Sequence, residues 1–339
     1  MRPVKRVINI KFQNGITKEI ASREILNEFV AEYSFEESEN PDFILFGPYG
    51  SDIPSKGNYI RIGYFCENIK PDLSICEWAF GIPREEEIAN PKYKRIQWHG
   101  VNPNALKKNL SDNEIDKLIS SKTKFCNFLY SSHIPYREEF FKQLSKYKKI
   151  DAPGRSMNNM LSIDTAYPGN QWQRKREFLT PYKFTIAFEN YSYPGYQTEK
   201  LYDAMQVNSI PIYCGDPYIG NIFNTSSFLN SIDYVKPNNN KVVKWLEKSS
   251  QSDFDDILPT FRNSFHHRVR RKVKAIGKDL KMKLQYNGLD FKELIDKIIA
   301  IDNNTDLYIK YLKEPWFKEN QVPEQASMQG RWIEIFNPK

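Results

Sequence analysis

No window of this 339-residue chain approaches the roughly 18 consecutive apolar residues that a spanning helix requires. Four cysteines, Cys66, Cys76, Cys126 and Cys214, are widely scattered. They form no CxxC pair and have no histidine at ligand spacing, so neither a disulfide scaffold nor a zinc site is expected. The residues Met1 to Arg6 lead into the alternating segment Val7 to Phe12 without a signal-type apolar stretch, and the expectation is a cytoplasmic, reduced setting. No GxGxxG follows the first strand pattern and no Walker lysine is present, which argues against dinucleotide and ATP chemistry. There is no repeat of fixed period and no low-complexity tract. The four histidines, His99, His133, His266 and His267, accompany no recognisable nucleophile or ligand set and read as structural.

What is present is a globular composition: 40% hydrophobic, 14% aromatic and 27% charged residues. The length accommodates two ordinary domains, each able to bury its own core. A formal net charge of +7 points to anionic partners, whether a phosphorylated substrate, a membrane surface or nucleic acid, without choosing among them.

Ile8, Ile10 and Phe12 alternate with polar residues, Asn14-Gly15 forms a turn, and Ile25, Leu26, Phe29, Val30 and Tyr33 recur at helical spacing. Short apolar runs follow at Phe43 to Phe46, Tyr59 to Phe65 and Cys76 to Phe80, the pattern of a parallel sheet covered on both faces. The pattern then restarts. Ser111-Asp-Asn-Glu114 is a capping box, Lys124 to Tyr130 reads as a buried strand, and Tyr136 to Tyr147 as a helix. Lys183 to Phe188 and Ile210 to Cys214 read as strands around a helix from Thr198 to Val207. Two α/β domains are therefore expected, 1–120 and 121–305, followed by a tail, 306–339, that packs back on the first. Past residue 240 the chain reads as mainly helical.

The chemistry concentrates in Tyr182 to Leu201, where a strand, a Pro-Gly loop and a helix start follow one another. Ligands of open α/β sheets collect beyond the carboxyl ends of strands, and a helix N-terminus there favours phosphate. Thr198 is placed to cap that helix, Glu199 to accept from ribose hydroxyls and Lys200 to neutralise a diphosphate. Taken alone, that tripeptide reads more readily as an N-cap followed by surface charges. The longer string is more specific. Phe188-Glu-Asn190, then Gly195-Tyr-Gln-Thr-Glu-Lys200, then Ile210-Pro-Ile-Tyr-Cys-Gly215 closely resembles the signature of the α1,3/4-fucosyltransferases, glycosyltransferase family 10. Cys66-Glu-Asn68 with Asp72, Trp78-Ala-Phe-Gly81, Arg137 before Glu138 to Phe141, and Gly154-Arg155 extend the likeness over about residues 60–235. The region before residue 60 shows no clear match.

The resemblance implies an α/β fold of GT-B type, with two Rossmann-like domains facing across a cleft, the first on the acceptor side and the second binding the GDP-sugar. It implies GDP-fucose as donor, with no obligatory cofactor or metal. Carried over by motif, Arg155 and Lys200 hold the diphosphate, Glu199 the ribose, and Asn190 and Tyr196 help form the nucleotide pocket. Glu67 matches the family's general base for an inverting transfer of L-fucose. An isolated Glu after a strand is more often a surface residue; the resemblance reverses that reading. The implied acceptor is O3 of GlcNAc or glucose in an oligosaccharide, glycolipid or lipopolysaccharide-type glycan. The alternatives are a transferase of another GDP-sugar, and a polyanion- or membrane-surface-binding protein without activity.

Asp253-Phe-Asp255 matches a short DxD metal pattern in a stretch read as helical and interrupted by Pro259; no metal is expected there. His266 to Lys274 is the densest basic run and reads as one amphipathic helix, either a solvated face or a peripheral contact with the inner face of an anionic membrane. No recognition pattern for nucleic acid accompanies it. A sequon at Asn190 lies inside the donor string, which favours a compartment without N-glycosylation.

Overall fold

The structure, a computed structural model, describes residues 5–258 and 264–337; Met1 to Val4 and Pro259 lie outside the described residues. Two compact units result. The first comprises 1–102, 244–280 and 324–339, the second 103–243 and 281–323. The chain thus leaves the first unit at 102 rather than 120 and returns to it twice. Both returns cover the sheet of the first unit.

That sheet is all-parallel, with strands β1 (Arg6–Gln13), β2 (Tyr33–Glu37), β3 (Phe43–Phe46), β4 (Ile60–Phe65), β6 (Trp78–Gly81) and β7 (Tyr93–Arg95) in the order β2-β1-β3-β4-β6-β7. A short strand β5 (Ile69–Lys70) pairs outside it with β13 (Ser252–Asp253). The segment read as a helix through Tyr33 is helical from Lys18 to Ile25 and adds one tight turn ending at Phe29, after which Tyr33 opens β2 beside Arg6. Tyr33 and Phe35 alternate inward on that strand. Five residues of alternation are too few to outweigh the helical spacing before them.

β3 is a continuous apolar run and β4 is apolar but for Arg61, which pairs with Glu77, because both of their faces are covered. Neighbouring residues of a strand point to opposite faces. On one face Phe80 stacks on Trp332, ring centroids 4.2 Å apart, and Phe43 meets Phe336 edge-on at 5.3 Å. Both partners belong to the helix Gln329–Phe336. On the other face Phe65 meets Phe254 edge-on at 4.9 Å. Residues more than 150 positions downstream therefore complete the core, which is why no boundary based on local composition finds it.

The second sheet is also parallel: β8 (Lys124–Asn127), β9 (Ile150–Asp151), β10 (Tyr182–Phe188), β11 (Ile210–Cys214) and β12 (Leu229–Asn230), in the order β12-β11-β10-β8-β9. Phe188 stacks on Phe140 of the helix Pro135–Leu144, and Phe140 meets Phe291 edge-on. The capping box is formed: the Ser111 hydroxyl accepts from the Glu114 amide, and Glu114 accepts from the Ser111 amide. In each sheet the order reverses at one strand, β1 in the first and β8 in the second, so each has a switch point at the carboxyl ends of its strands.

Truncating Trp332 to Ala removes the largest side chain covering one face of the first sheet. The expected cost is about 3–5 kcal/mol. It is read by hydrogen exchange, in which peptides spanning 43–46 and 78–81 lose protection while 182–188 keeps it.

Candidate active site

The second sheet reverses its order between β8 and β10, and a cavity of ≈ 1120 Å³ opens at the carboxyl ends of these strands. Its walls are the loop after β8 (Leu129 to Ser132), the loop after β9 (Pro153 to Arg155), Asn190 after β10, the start of the helix Glu199–Gln206, and Gln171, Arg174 and Lys175 of the helix Gln171–Leu179. Arg155, Asn190, Glu199 and Lys200, singled out in the sequence, all line it. Tyr196 does not. It is half-buried on the loop before the helix, where its amide donates to the Tyr193 carbonyl.

The loop after β9 can approach β8 only because residue 154 is glycine. A Cβ there would overlap the Tyr130 carbonyl oxygen. The same oxygen accepts from the Ser156 amide at 3.0 Å, while the Ser156 hydroxyl donates to Glu138 at 2.7 Å. Arg155 is thus carried on a pinned turn. Its guanidinium is exposed and has no hydrogen-bond or ion-pair partner among the described residues.

Lys200 is held differently. Its ammonium lies 3.2 Å from Glu189 and 3.5 Å from Glu199, and donates to the Thr198 hydroxyl at 2.8 Å. Burial works to lower its pKa, but the two carboxylates outweigh burial and raise it. Glu189 has no exposure at all. Burial pushes its carboxyl up against the opposing pull of Lys200 and the hydrogen bonds from Thr198. Thr198 occupies the N-cap position of the helix, yet its hydroxyl makes no cap bond and donates instead to Glu189 at 2.7 Å. The expected cap is therefore a brace for the carboxylate behind Lys200. Gly215 leaves room for it, since a Cβ would stand 2.6 Å from Glu189 Cγ.

Several further participants have no site role assigned from the sequence, although Arg137 stands among the residues that carry the family likeness. Arg137 is fully buried, donates to the Phe188 and Ser132 carbonyls and to Asn190 Oδ1 at 3.0 Å, and lies face-on over Tyr130 at 3.5 Å. Its Nε has no hydrogen-bond partner. Lys175 pairs with Asp203 and lies 3.8 Å from Glu199. Burial works to raise the Glu199 carboxyl, but Lys200 and Lys175 hold it below its ordinary value. Asp216 tethers the loop between β10 and the helix, accepting from the Gly195 amide and from Gln197. Five cationic side chains, Arg137, Arg155, Arg174, Lys175 and Lys200, face two carboxylates, Asp164 and Glu199, around the cavity. A cavity so lined favours a polyanion.

Glu67 belongs to the first unit, just past the carboxyl end of β4. It is exposed, and the Tyr49 hydroxyl donates to it. Burial, followed by the hydrogen bond and charge of Glu67, raises the Tyr49 pKa and keeps that phenol a donor. Asn14, after β1, donates to the Gly47 carbonyl at 2.6 Å and closes the same end of the sheet.

The Asp253-Phe-Asp255 pattern is a strand end and a tight turn, not a helix. Asp253 is occupied by Arg270 and Lys274. Among the described residues no cluster of three or more His, Cys, Asp or Glu is gathered as for a metal.

Residues 119–274 match the C-terminal domain of glycosyltransferase family 10 (fucosyltransferase), and residues 10–99 match the N-terminal domain of α-(1,3)-fucosyltransferase FucT. Among curated proteins, a putative fucosyltransferase of Acanthamoeba polyphaga mimivirus is 34% identical over 139 residues, 40% of this chain and 23% of that protein. The α-(1,3)-fucosyltransferase FucT of Helicobacter pylori is 28% identical over 242 residues, 59% of this chain and 48% of that protein. The chain thus spans between about a quarter and a half of the length of these relatives. Crystal structures of α1,3-fucosyltransferase superpose with TM-scores of 0.61 with GDP and 0.62 with GDP-fucose. They share 20% and 19% identity, covering 100% of this chain and 93% and 94% of theirs. The fold is accordingly α/β of GT-B type.

Gly154→Ala forces apart the turns after β8 and β9 and displaces Arg155. Overpacking of this kind costs about 1–3 kcal/mol. Calorimetric titration with pyrophosphate should show at least a tenfold loss of affinity against the unaltered chain; equal affinities would remove the turn from anion binding.

Proposed function

This chain belongs to glycosyltransferase family 10, the fucosyltransferases, and on that premise we propose that it transfers L-fucose from GDP-fucose to a sugar hydroxyl with inversion at the anomeric carbon. The second unit supplies the donor pocket and the first the base and acceptor surface. The reading is carried by one observation: the cation-lined cavity at the carboxyl ends of β8 and β10, with Arg155 free of partners among the described residues and Lys200 braced by a buried carboxylate.

As the glycosidic C–O bond breaks, negative charge grows on the β-phosphate. Cations already fixed in place stabilise that charge more than they stabilise the ground state, which is what lowers the barrier. Arg155 and Lys200 hold the diphosphate, Glu199, kept ionised by its two lysines, accepts from the ribose hydroxyls, and Asn190 is oriented by Arg137 toward the nucleotide. Tyr196, which the resemblance assigns to the nucleotide pocket, does not line the cavity. Glu67 takes the proton of the acceptor hydroxyl while its oxygen attacks the face opposite GDP, through an oxocarbenium-like transition state. The Tyr49 hydroxyl donates to that carboxylate and fixes its orientation. The reading needs no metal, since fixed cations supply the charge.

The proposed acceptor is O3 of GlcNAc or glucose in a glycan, with oligosaccharide, glycolipid and lipopolysaccharide-type carriers as candidates.

Two measurements test this. Glu67→Gln should lower turnover by about 10²–10⁴-fold, the usual contribution of a general base, with GDP affinity unchanged by calorimetry. Lys200→Ala should weaken GDP binding by about 1.5–3 kcal/mol, the scale of a hydrogen bond to a charged group. Normal transfer by the first variant would remove Glu67 from the mechanism. Transfer from a GDP-sugar panel, read by mass spectrometry, that favoured a sugar other than fucose would overturn the donor assignment.

A further inference from the structure

The helix Phe265–Tyr286 has its amphipathicity reversed. Its basic side faces inward. Arg270 and Lys274 both pair with Asp253 and Asp256, and Lys278 donates to the Ser252 hydroxyl at 2.8 Å. Its apolar side faces outward. Phe265, Val269, Val273, Ile276 and Leu280 are between 44% and 77% exposed. An ordinary surface helix buries the stripe that this one displays.

The outward residues are spaced 4, 4, 3 and 4 apart. At 100° per residue they fall within an arc of about 80°, and at 1.5 Å per residue they run in a straight line for about 22 Å. Beside this stripe Arg268 and Lys272 are exposed, with Asp279 the one carboxylate among them. Ser250, the last residue of the helix Lys241–Ser250, lies against Gly277, and that helix carries Trp245, 65% exposed, and the exposed Lys244 and Lys248.

We propose that this apolar stripe and its cationic margin form a surface by which the first unit lies on an anionic bilayer. A straight apolar line with basic flanks and an exposed indole suits the boundary between headgroups and acyl chains. Only part of the basic run seen in the sequence serves the contact, because Arg270 and Lys274 are neutralised inside the unit while Arg268 and Lys272 lie beside the apolar stripe. The contact is the opposite side of the same helix. A second copy of the chain is the poorer occupant. Pairing two such faces brings Arg268, Lys272, Lys244 and Lys248 of each copy toward their like, with only Asp279 and the half-buried Glu247 among the described residues of these two helices' margins to offset them.

Cosedimentation of the full chain with vesicles tests the surface. Phosphatidylcholine vesicles containing about a third phosphatidylglycerol should bind the chain, and pure phosphatidylcholine at least tenfold less. Val273→Glu with Ile276→Glu should abolish binding, because an outward substitution leaves the inner pairing intact. Arg268→Gln with Lys272→Gln should weaken binding about fivefold for each cation removed. In every variant the GDP affinity should equal that of the parent, which shows that the second unit is intact and keeps this test independent of the donor reading. Failure of the parent to bind anionic vesicles would overturn the proposal. So would binding that the two glutamates leave unchanged, or a dimer by light scattering that they dissociate without any vesicle affinity.

Discussion

The donor half of the molecule depends on one buried ion pair. Glu189 has no exposure, and a carboxylate there without a partner would protonate or force the strand end apart. Removing one member of such a pair typically costs about 3–5 kcal/mol, because the other charge stays buried and uncompensated. Lys200 is that partner, 3.2 Å away. The pair explains the surrounding sequence: Gly215 makes room for the Glu189 side chain, Thr198 surrenders its cap position to hydrogen-bond it, and Tyr136 donates to the Glu189 carbonyl. Asp203, Lys175, Glu199, Lys200 and Glu189 form a chain of alternating charge along one wall. A cation fixed in this way need not reorganise when an anion arrives.

Such a wall also separates two kinds of positive charge. Lys200 is shared among protein carboxylates before any ligand binds, so it contributes position as much as field. Arg155 has no protein partner among the described residues, and its full charge is available to a ligand. One cation is oriented in advance and the other is uncommitted, which suits a leaving group whose charge increases during the reaction.

How much of this could be read in the sequence follows from how local each feature is. β3 and β11 announce themselves as continuous apolar runs, and β4 and β10 as apolar runs broken by Arg61 and by Lys183 and Thr185, since strands covered on both faces need no alternation. Asn190, Glu199 and Lys200 are legible because a strand, a loop and a helix start deliver them to the cavity within eleven residues of chain. Arg137, Arg174 and Lys175 line the same cavity, but the last two come from a helix with no motif, and only the sheet order places them there. β2 was hidden by helical spacing that runs directly into it. The composition of the first unit was hidden more thoroughly, because Phe254 and Trp332 close its sheet from positions that local periodicity cannot connect to Phe65 and Phe80.

The distribution of the net charge of +7 is the least legible property of all, and the reason is physical. Local density of lysine and arginine does not set the field at a surface; unpaired charge does. His266 to Lys274 is the densest basic run, yet Asp253 and Asp256 absorb Arg270 and Lys274 from it. Asp253, part of the short DxD pattern, is with Asp256 a counter-ion that turns the helix over. The cations of the cavity lie at positions 137, 155, 174, 175 and 200, and only Arg174 and Lys175 fall together, in the short run Arg174-Lys-Arg176. They act together because parallel strands end on one side of a sheet, and the loops that follow them share that side.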